Sequence, residues 1–178
     1  MNEVNLKDKT FEVFISDTEI AEIVHSISNQ INNSGVKDPL FISVLNGSFM
    51  FSSDIMKNIT IPNTEISFIK LSSYLGTEST GSVDELIGLG KDIKNRNIII
   101  LEDIIDTGIT LEKIISLLKK EEVADIKVAT LLFKPDAYTK DIHIDFIGKS
   151  IPNDFVVGYG LDFDEIGRNL PHIYKLKN

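Results

Sequence analysis

Residues 98–111 read Ile-Ile-Ile-Leu-Glu-Asp-Ile-Ile-Asp-Thr-Gly-Ile-Thr-Leu, and this stretch decides the fold. Ile98 to Leu101 form a run rich in β-branched residues, the pattern of a strand covered on both faces in a parallel sheet. The run leads into two adjacent acids, Glu102 and Asp103, and then into the turn Asp106-Thr107-Gly108-Ile109-Thr110. Leu111, Ile114, Ile115 and Leu118 follow at helical spacing. Gly108 admits backbone angles that other residues resist, and Thr107 and Thr110 carry hydroxyl donors. With the N–H groups that open the helix, they make a set of donors suited to a monophosphate. The acids upstream suit sugar hydroxyls or a magnesium ion. Spacing alone leaves two readings open: this phosphate cradle, or a plain capping turn.

On the N-terminal side, Ser16 and Glu19 have capping-box spacing. Ile20, Ile23, Val24, Ile27 and Ile31 then predict a helix, with Gly35 as its stop. Leu40 to Leu45 read as a buried strand, Phe49 to Met56 as a helix, and Glu65 to Leu71 as an alternating strand. Ser72 to Val83 turn small and polar, as a loop does, and Gly88 and Gly90 mark a further turn. C-terminal to the opening stretch, Ile126 to Phe133 predict a strand and Phe155 to Val157 a short one. Strands alternating with helices predict an α/β fold with a mainly parallel sheet. Ligands in such sheets sit beyond the carboxyl ends of the strands. Functional residues are therefore expected just after Leu45, Leu101 and Phe133.

Whole-chain properties narrow the function. At 178 residues the chain is expected to form a single domain, 1–178. A net charge of −9 argues against a general nucleic-acid or membrane-surface binder. There is no cysteine, so disulfides and thiolate chemistry are excluded. The first residues lack the apolar core of a secretory signal, and no apolar run approaches the roughly 20 residues that span a bilayer. The expected location is the cytoplasm. Gly88-Leu89-Gly90 precedes a strand and lacks a third glycine, so it is no dinucleotide fingerprint, and Gly90-Lys91 is no Walker A loop. His25, His143 and His172 are scattered without metal-ligand spacing.

The run at 98–111 resembles the ribose-phosphate-binding signature of type I phosphoribosyltransferases, in particular those acting on hypoxanthine and guanine. Leu45 to Phe51 (LNGSFMF), Ser72 to Tyr74 (SSY), the lysine after the LLF strand, and Asp154 to Glu165 (DFVVGYGLDFDE) resemble the family's other elements, in order. The resemblance spans nearly the whole chain. It implies a type I phosphoribosyltransferase fold, in which helices flank the central sheet. A small hood subdomain would come from the N-terminal segment and roughly 134–178. The implied reaction transfers the phosphoribosyl group of 5-phosphoribosyl 1-pyrophosphate to hypoxanthine, with guanine as a second base. The products are IMP or GMP and pyrophosphate.

Site roles are implied in the same way. Glu102 and Asp103 would meet the ribose hydroxyls and magnesium, and residues Asp106, Thr107, Gly108, Ile109 and Thr110 the 5-phosphate. Asp106 would also be the general base near purine N7, since a proton must leave as the bond to N9 forms. Lys134 would donate to the purine O6, Phe155 would stack on the ring, and the Val156 backbone would meet its Watson–Crick edge. Asp162 would lie at the purine and approach a second magnesium, and Arg168 would reach pyrophosphate. Asn46 and Gly47 would form the pyrophosphate loop, and many family members carry a lysine where this chain has Asn46. Ser73 and Tyr74 would belong to a lid that excludes water. Homodimers or homotetramers are the implied assemblies. Two other classes remain in view: a non-catalytic regulator of the same fold that binds nucleotide or RNA, and a phospho-acceptor receiver domain.

Overall fold

Along the central strands, alternate residues serve two different cores. Ile99 and Leu101 join one cluster with Phe41, Phe51 and Ile27. Ile98 and Ile100 join the other with Ile42, Leu111 and Ile114. A sheet apolar on both faces must be covered on both, and burying each Ile or Leu contributes about 1.5–3 kcal/mol.

The computed structural model describes residues 3–71, 85–87 and 92–177. In chain order the elements are β1 (Glu3–Leu6), β2 (Lys9–Ile15), α1 (Asp17–Asn32), β3 (Leu40–Val44), α2 (Phe49–Asn58), β4 (Glu65–Leu71) and β5 (Glu85–Ile87). They continue with β6 (Asn97–Ile105), α3 (Ile109–Lys120), β7 (Asp125–Phe133), β8 (Phe146–Ser150), β9 (Val156–Val157) and β10 (Ile173–Leu176). The main sheet has six strands in the order β5-β4-β3-β6-β7-β8. All its pairs are parallel except β4 with β5. A second sheet, β1-β2-β10-β9, is antiparallel throughout.

The two helices that frame the site lie on opposite faces. Phe51 and Ile55 of α2 belong to the first core, and Leu111, Ile114 and Leu118 of α3 to the second. Adjacent strands β3 and β6 thus send their following chains to opposite sides. That divergence opens a crevice at the carboxyl edge of the sheet, the place where α/β sheets take ligands.

Helix α1 begins as expected, with Ser16 Oγ accepting from the Glu19 N–H at 3.1 Å. The Glu19 carboxylate pairs instead with Lys149 Nζ at 2.7 Å, so only half of the capping box forms. The central strand is longer than expected. β6 does not stop at Leu101 but carries Glu102 and Asp103 within it, because Ile104 and Ile105 go on pairing with Leu132 and Phe133 of β7. The short strand near the C-terminus begins at Val156, one residue after Phe155. Residues 146–150 form β8 at the edge of the main sheet, although they fall within the range assigned to the small subdomain. The expected loop at 72–83 and the turn at 88–90 lie outside the described residues.

Candidate active site

The β3–α2 turn supplies the first wall of the crevice. Ser43, Ser48 and Ser52 are buried beneath it and joined hydroxyl to hydroxyl, 2.8 Å from Ser43 to Ser48 and 2.7 Å from Ser52 to Ser43. Ser48 Oγ also donates to the Val44 carbonyl at 2.6 Å. A buried polar cluster is tolerated only when its members satisfy one another, so this one fixes the turn that carries Asn46 and Gly47. The Leu45–Asn46 peptide is cis.

Gly47 lies directly against the end of β6. A Cβ at this position would stand 1.8 Å from Asp103 Oδ2, so only glycine leaves the carboxylate its place. Glu102, 5% exposed, is held well above the usual carboxylate range by burial and then by its neighbour Asp103. Burial also raises half-buried Asp103, to about 6. Its own N–H, that of Ile104 and the Arg168 guanidinium act in the opposite direction, whereas Asp162 adds to the rise. Two acids at this depth are costly when ionised unless a cation or hydroxyl donors meet them.

Beyond β6 a concave pocket is formed by residues 102–111. Gly108 precedes α3 with φ +82°, and no side chain caps it. The N–H groups of the first helical turn have no intrahelical acceptor. Ile109, Thr110 and the Thr107 hydroxyl stand at this opening, with Thr107 Oγ1 3.5 Å from the Ile109 nitrogen. The turn is anchored from outside, because Thr139 donates to the Thr107 carbonyl from its N–H (3.3 Å) and its hydroxyl (3.1 Å).

Lys134, the first residue after β7, is 7% exposed. Its N–H donates to the Ile105 carbonyl at 3.0 Å, and its Nζ lies 3.2 Å from Asp106 Oδ2. An ammonium and a carboxylate thus face each other at the edge of the pocket.

The remaining predicted residues come from the second sheet and the chain leading into β10. Arg168 donates to the Gly160 carbonyl from Nη1 at 2.9 Å and pairs with Asp162 Oδ1 from Nη2 at 2.8 Å. Gly160 touches the first wall, since a Cβ there would lie 2.0 Å from the Gly47 carbonyl oxygen. Gly47, Asp103, Asp162 and Arg168 therefore form one neighbourhood, and Asp106 with Lys134 a second. Phe155, 48% exposed, makes its ring contacts with Phe11 and Phe163. Val156 follows it, buried, in β9. Ser73 and Tyr74 lie outside the described residues.

A family model described as phosphoribosyl transferase domain matches residues 15–164. The chain belongs to that family.

Among its relatives in the phosphoribosyl transferase family is the hypoxanthine-guanine phosphoribosyltransferase of Staphylococcus aureus (strain Mu50). It is 42% identical over 168 residues, which are 93% of each chain. The enzyme of the same name from Staphylococcus epidermidis is 43% identical over 167 residues, again 93% of each. The crystal structure of a hypoxanthine phosphoribosyltransferase from Staphylococcus aureus superimposes with TM-score 0.85 at 41% identity, covering 93% of this chain and 91% of that one. A hypoxanthine-guanine phosphoribosyltransferase from Bacillus anthracis, solved with a HEPES molecule in its active site, gives TM-score 0.84 at 35% identity and covers 94% and 97%.

Within this family fold, sequence reading missed the parts that brace the site. The serine cluster under the β3–α2 turn had one legible sign, three serines within ten residues of an otherwise apolar strand and helix. Tyr159, between two glycines, signalled a turn but not its partner across the fold.

Proposed function

We propose that this chain is a hypoxanthine phosphoribosyltransferase. It moves the phosphoribosyl group of 5-phosphoribosyl 1-pyrophosphate to hypoxanthine, and to guanine as a second base, in purine salvage. The observation that carries the proposal is the Lys134–Asp106 pair, 3.2 Å apart beside the open N-terminus of α3. An oxo-purine needs a hydrogen-bond donor at O6 and an acceptor for the proton it loses, and this pair supplies both types of group.

The residue roles belong to this reading. Thr107, Gly108 and the first residues of α3, Ile109 and Thr110, bind the 5-phosphate through the N–H groups of the helix opening and the threonine hydroxyls. Glu102 and Asp103 accept from the ribose hydroxyls. Asp106 takes the purine proton as N9 attacks the sugar, which passes through a cationic transition state and is approached from the face opposite the leaving pyrophosphate. Lys134 donates to O6 and disfavours an amino group there. Phe155 stacks on the ring, which contributes about 1 kcal/mol beyond its buried area, and the Val156 backbone meets the Watson–Crick edge. Asn46, Gly47 and Arg168 hold pyrophosphate. Ser73 and Tyr74 are the proposed lid residues. The second sheet, with the chain that joins β9 to β10, is the proposed hood.

Magnesium is the proposed cofactor, and the donor set fits it. Asp103, Glu102 and Asp162 offer hard carboxylate oxygens, and both members of the β6 pair are raised by burial, which a nearby cation would relieve. Among the described residues no three such side chains converge into a cage. Magnesium typically binds through one or two carboxylates together with substrate oxygens. Its contribution when bound would be to neutralise charge on the departing pyrophosphate.

A closed homodimer or homotetramer and a cytoplasmic location complete the proposal. Among the described residues no helix is long and apolar enough to cross a membrane. The test is pyrophosphate release in a coupled assay. Release should require hypoxanthine, 5-phosphoribosyl 1-pyrophosphate and magnesium together; release that ignores the base would overturn the reading.

A further inference from the structure

The turn at 158–161 is held in a backbone shape that few sequences adopt. Gly158, Tyr159 and Gly160 have successive φ values of +96°, +50° and +102°. For a tyrosine this region is unfavourable, and it persists only where surroundings enforce it. The enforcing contacts are specific. The Tyr159 N–H donates to the Leu170 carbonyl at 2.8 Å, and Gly160 exchanges backbone and side-chain bonds with Arg168 at 2.9 Å each. The Tyr159 ring is buried, 5% exposed, and its hydroxyl donates to Asp54 Oδ2 at 2.7 Å. Burial, and then Asp54 itself, push that hydroxyl far above its ordinary range, so it stays a donor.

Asp54 lies on α2, the helix that opens directly after the Asn46–Gly47 turn. Its other oxygen accepts from Lys57 at 2.8 Å. The Tyr159–Asp54 bond therefore ties two pieces of the crevice together. One piece carries Asn46 and Gly47; the other carries Gly160, Asp162 and Arg168. The two meet where the Gly47 carbonyl rests on Gly160.

We propose that Tyr159 and Asp54 are positioning residues, a strut that sets the spacing between the two halves of the pyrophosphate end of the site. Neither touches the reacting atoms. The inference rests on the proposed function for the identity of the anion. It assigns the strut to one end only, because Asp106 and Lys134 are held by each other and by the ends of β6 and β7.

The full chain is tested as Tyr159→Phe, Asp54→Ala, Asp54→Asn and the Tyr159→Phe/Asp54→Ala double variant. Pyrophosphate binding with magnesium is read by calorimetry, and KM is read for each substrate. Loss of the single hydrogen bond should weaken pyrophosphate about fivefold and raise KM for 5-phosphoribosyl 1-pyrophosphate similarly, with KM for hypoxanthine within about twofold. Asp54→Asn keeps an acceptor oxygen and should stay near the unaltered chain. The double variant should be no worse than the worse single one. Equal pyrophosphate affinity in Tyr159→Phe and the unaltered chain would overturn the strut, as would additive losses or a parallel rise in both KM values. An unaltered chain that turns over no base, yet binds pyrophosphate with the expected dependence on Tyr159, would count against the transfer reaction alone. If it binds no pyrophosphate, both fail.

Discussion

Lys134 Nζ lies 3.2 Å from Asp106 Oδ2, and the two residues are the first to leave the neighbouring strands β7 and β6. Parallel pairing of Ile105 with Phe133 brings those strand ends level, so the ion pair is a consequence of register. A 6-oxopurine entering here would exchange this contact for two of its own, O6 with the lysine and a ring N–H with the carboxylate. Asp106→Asn should therefore lower kcat by about 10²- to 10⁴-fold. Nucleotide affinity should change only a few-fold, which equilibrium titration with IMP would measure. Equal losses in turnover and in binding would argue against a base role.

Lys134→Gln tests base selection separately. The amide keeps a donor but also presents an acceptor to an exocyclic amino group. The preference for hypoxanthine over adenine, taken as the ratio of kcat/KM, should fall by about ten- to a hundredfold.

Gly47→Ala should be damaging out of proportion to its size. The added methyl would occupy the place of the Asp103 carboxylate, 1.8 Å from Oδ2. Forcing the acid or the turn aside is expected to cost about 1–3 kcal/mol in a urea melt. Substrate turnover should fall with it, since both displaced groups face the crevice.

The raised acid gives a pH test with a definite sign. Asp103 titrates at about 6 in the folded chain against 3.8 ordinarily. A carboxyl raised on folding is favourable while protonated, and that advantage is lost as pH rises through the folded value. In chelator, Asp103→Asn should therefore be more stable than the unaltered chain at pH 8, by about 3 kcal/mol. The gap should narrow below pH 6 and close below about 4. Urea melts at both ends of that range would measure it, and a gap unchanged by pH would contradict the burial argument.

Phe155 should act on the base alone. It is half exposed, with its ring tilted against Phe11 and steeply inclined to Phe163, and so has surface left for a base. Phe155→Ala should raise KM for hypoxanthine about tenfold and leave KM for 5-phosphoribosyl 1-pyrophosphate within twofold. Steady-state kinetics with each substrate varied would separate the two.

The centre of the molecule was legible because its signals are local and strong. Ile98 to Leu101 are covered on both faces, and the apolar spacings of α1 and α3 match their buried residues apart from Ile23 and Ile115, which are half-buried, and Ser28, which is buried without having been marked by the spacing. The strand's true end was not, because two acids interrupt the pattern that Ile104 and Ile105 resume only through pairing with β7. The edge elements gave weaker signals. In β8 only Phe146 is buried, and Gly148 interrupts it because a Cβ there would lie 2.5 Å from the Leu131 carbonyl. In β2 only Phe11 and Ile15 are fully buried, so its alternation is faint. At the site, the turn showed itself by residue type, although it ends at Gly108 and the helix already takes in Ile109 and Thr110. The contacts of Gly47 with Asp103, and of Tyr159 with Asp54, join residues 56 and 105 positions apart and leave no local trace.

The measurement that bears most directly on function is nucleotide formation from 5-phosphoribosyl 1-pyrophosphate and magnesium, with hypoxanthine, guanine, xanthine and adenine offered separately. Rapid conversion of hypoxanthine to IMP, with adenine near background, is the expected result. A folded chain that binds nucleotide yet makes none from any base would contradict it, and would point to a non-catalytic regulator of the same fold.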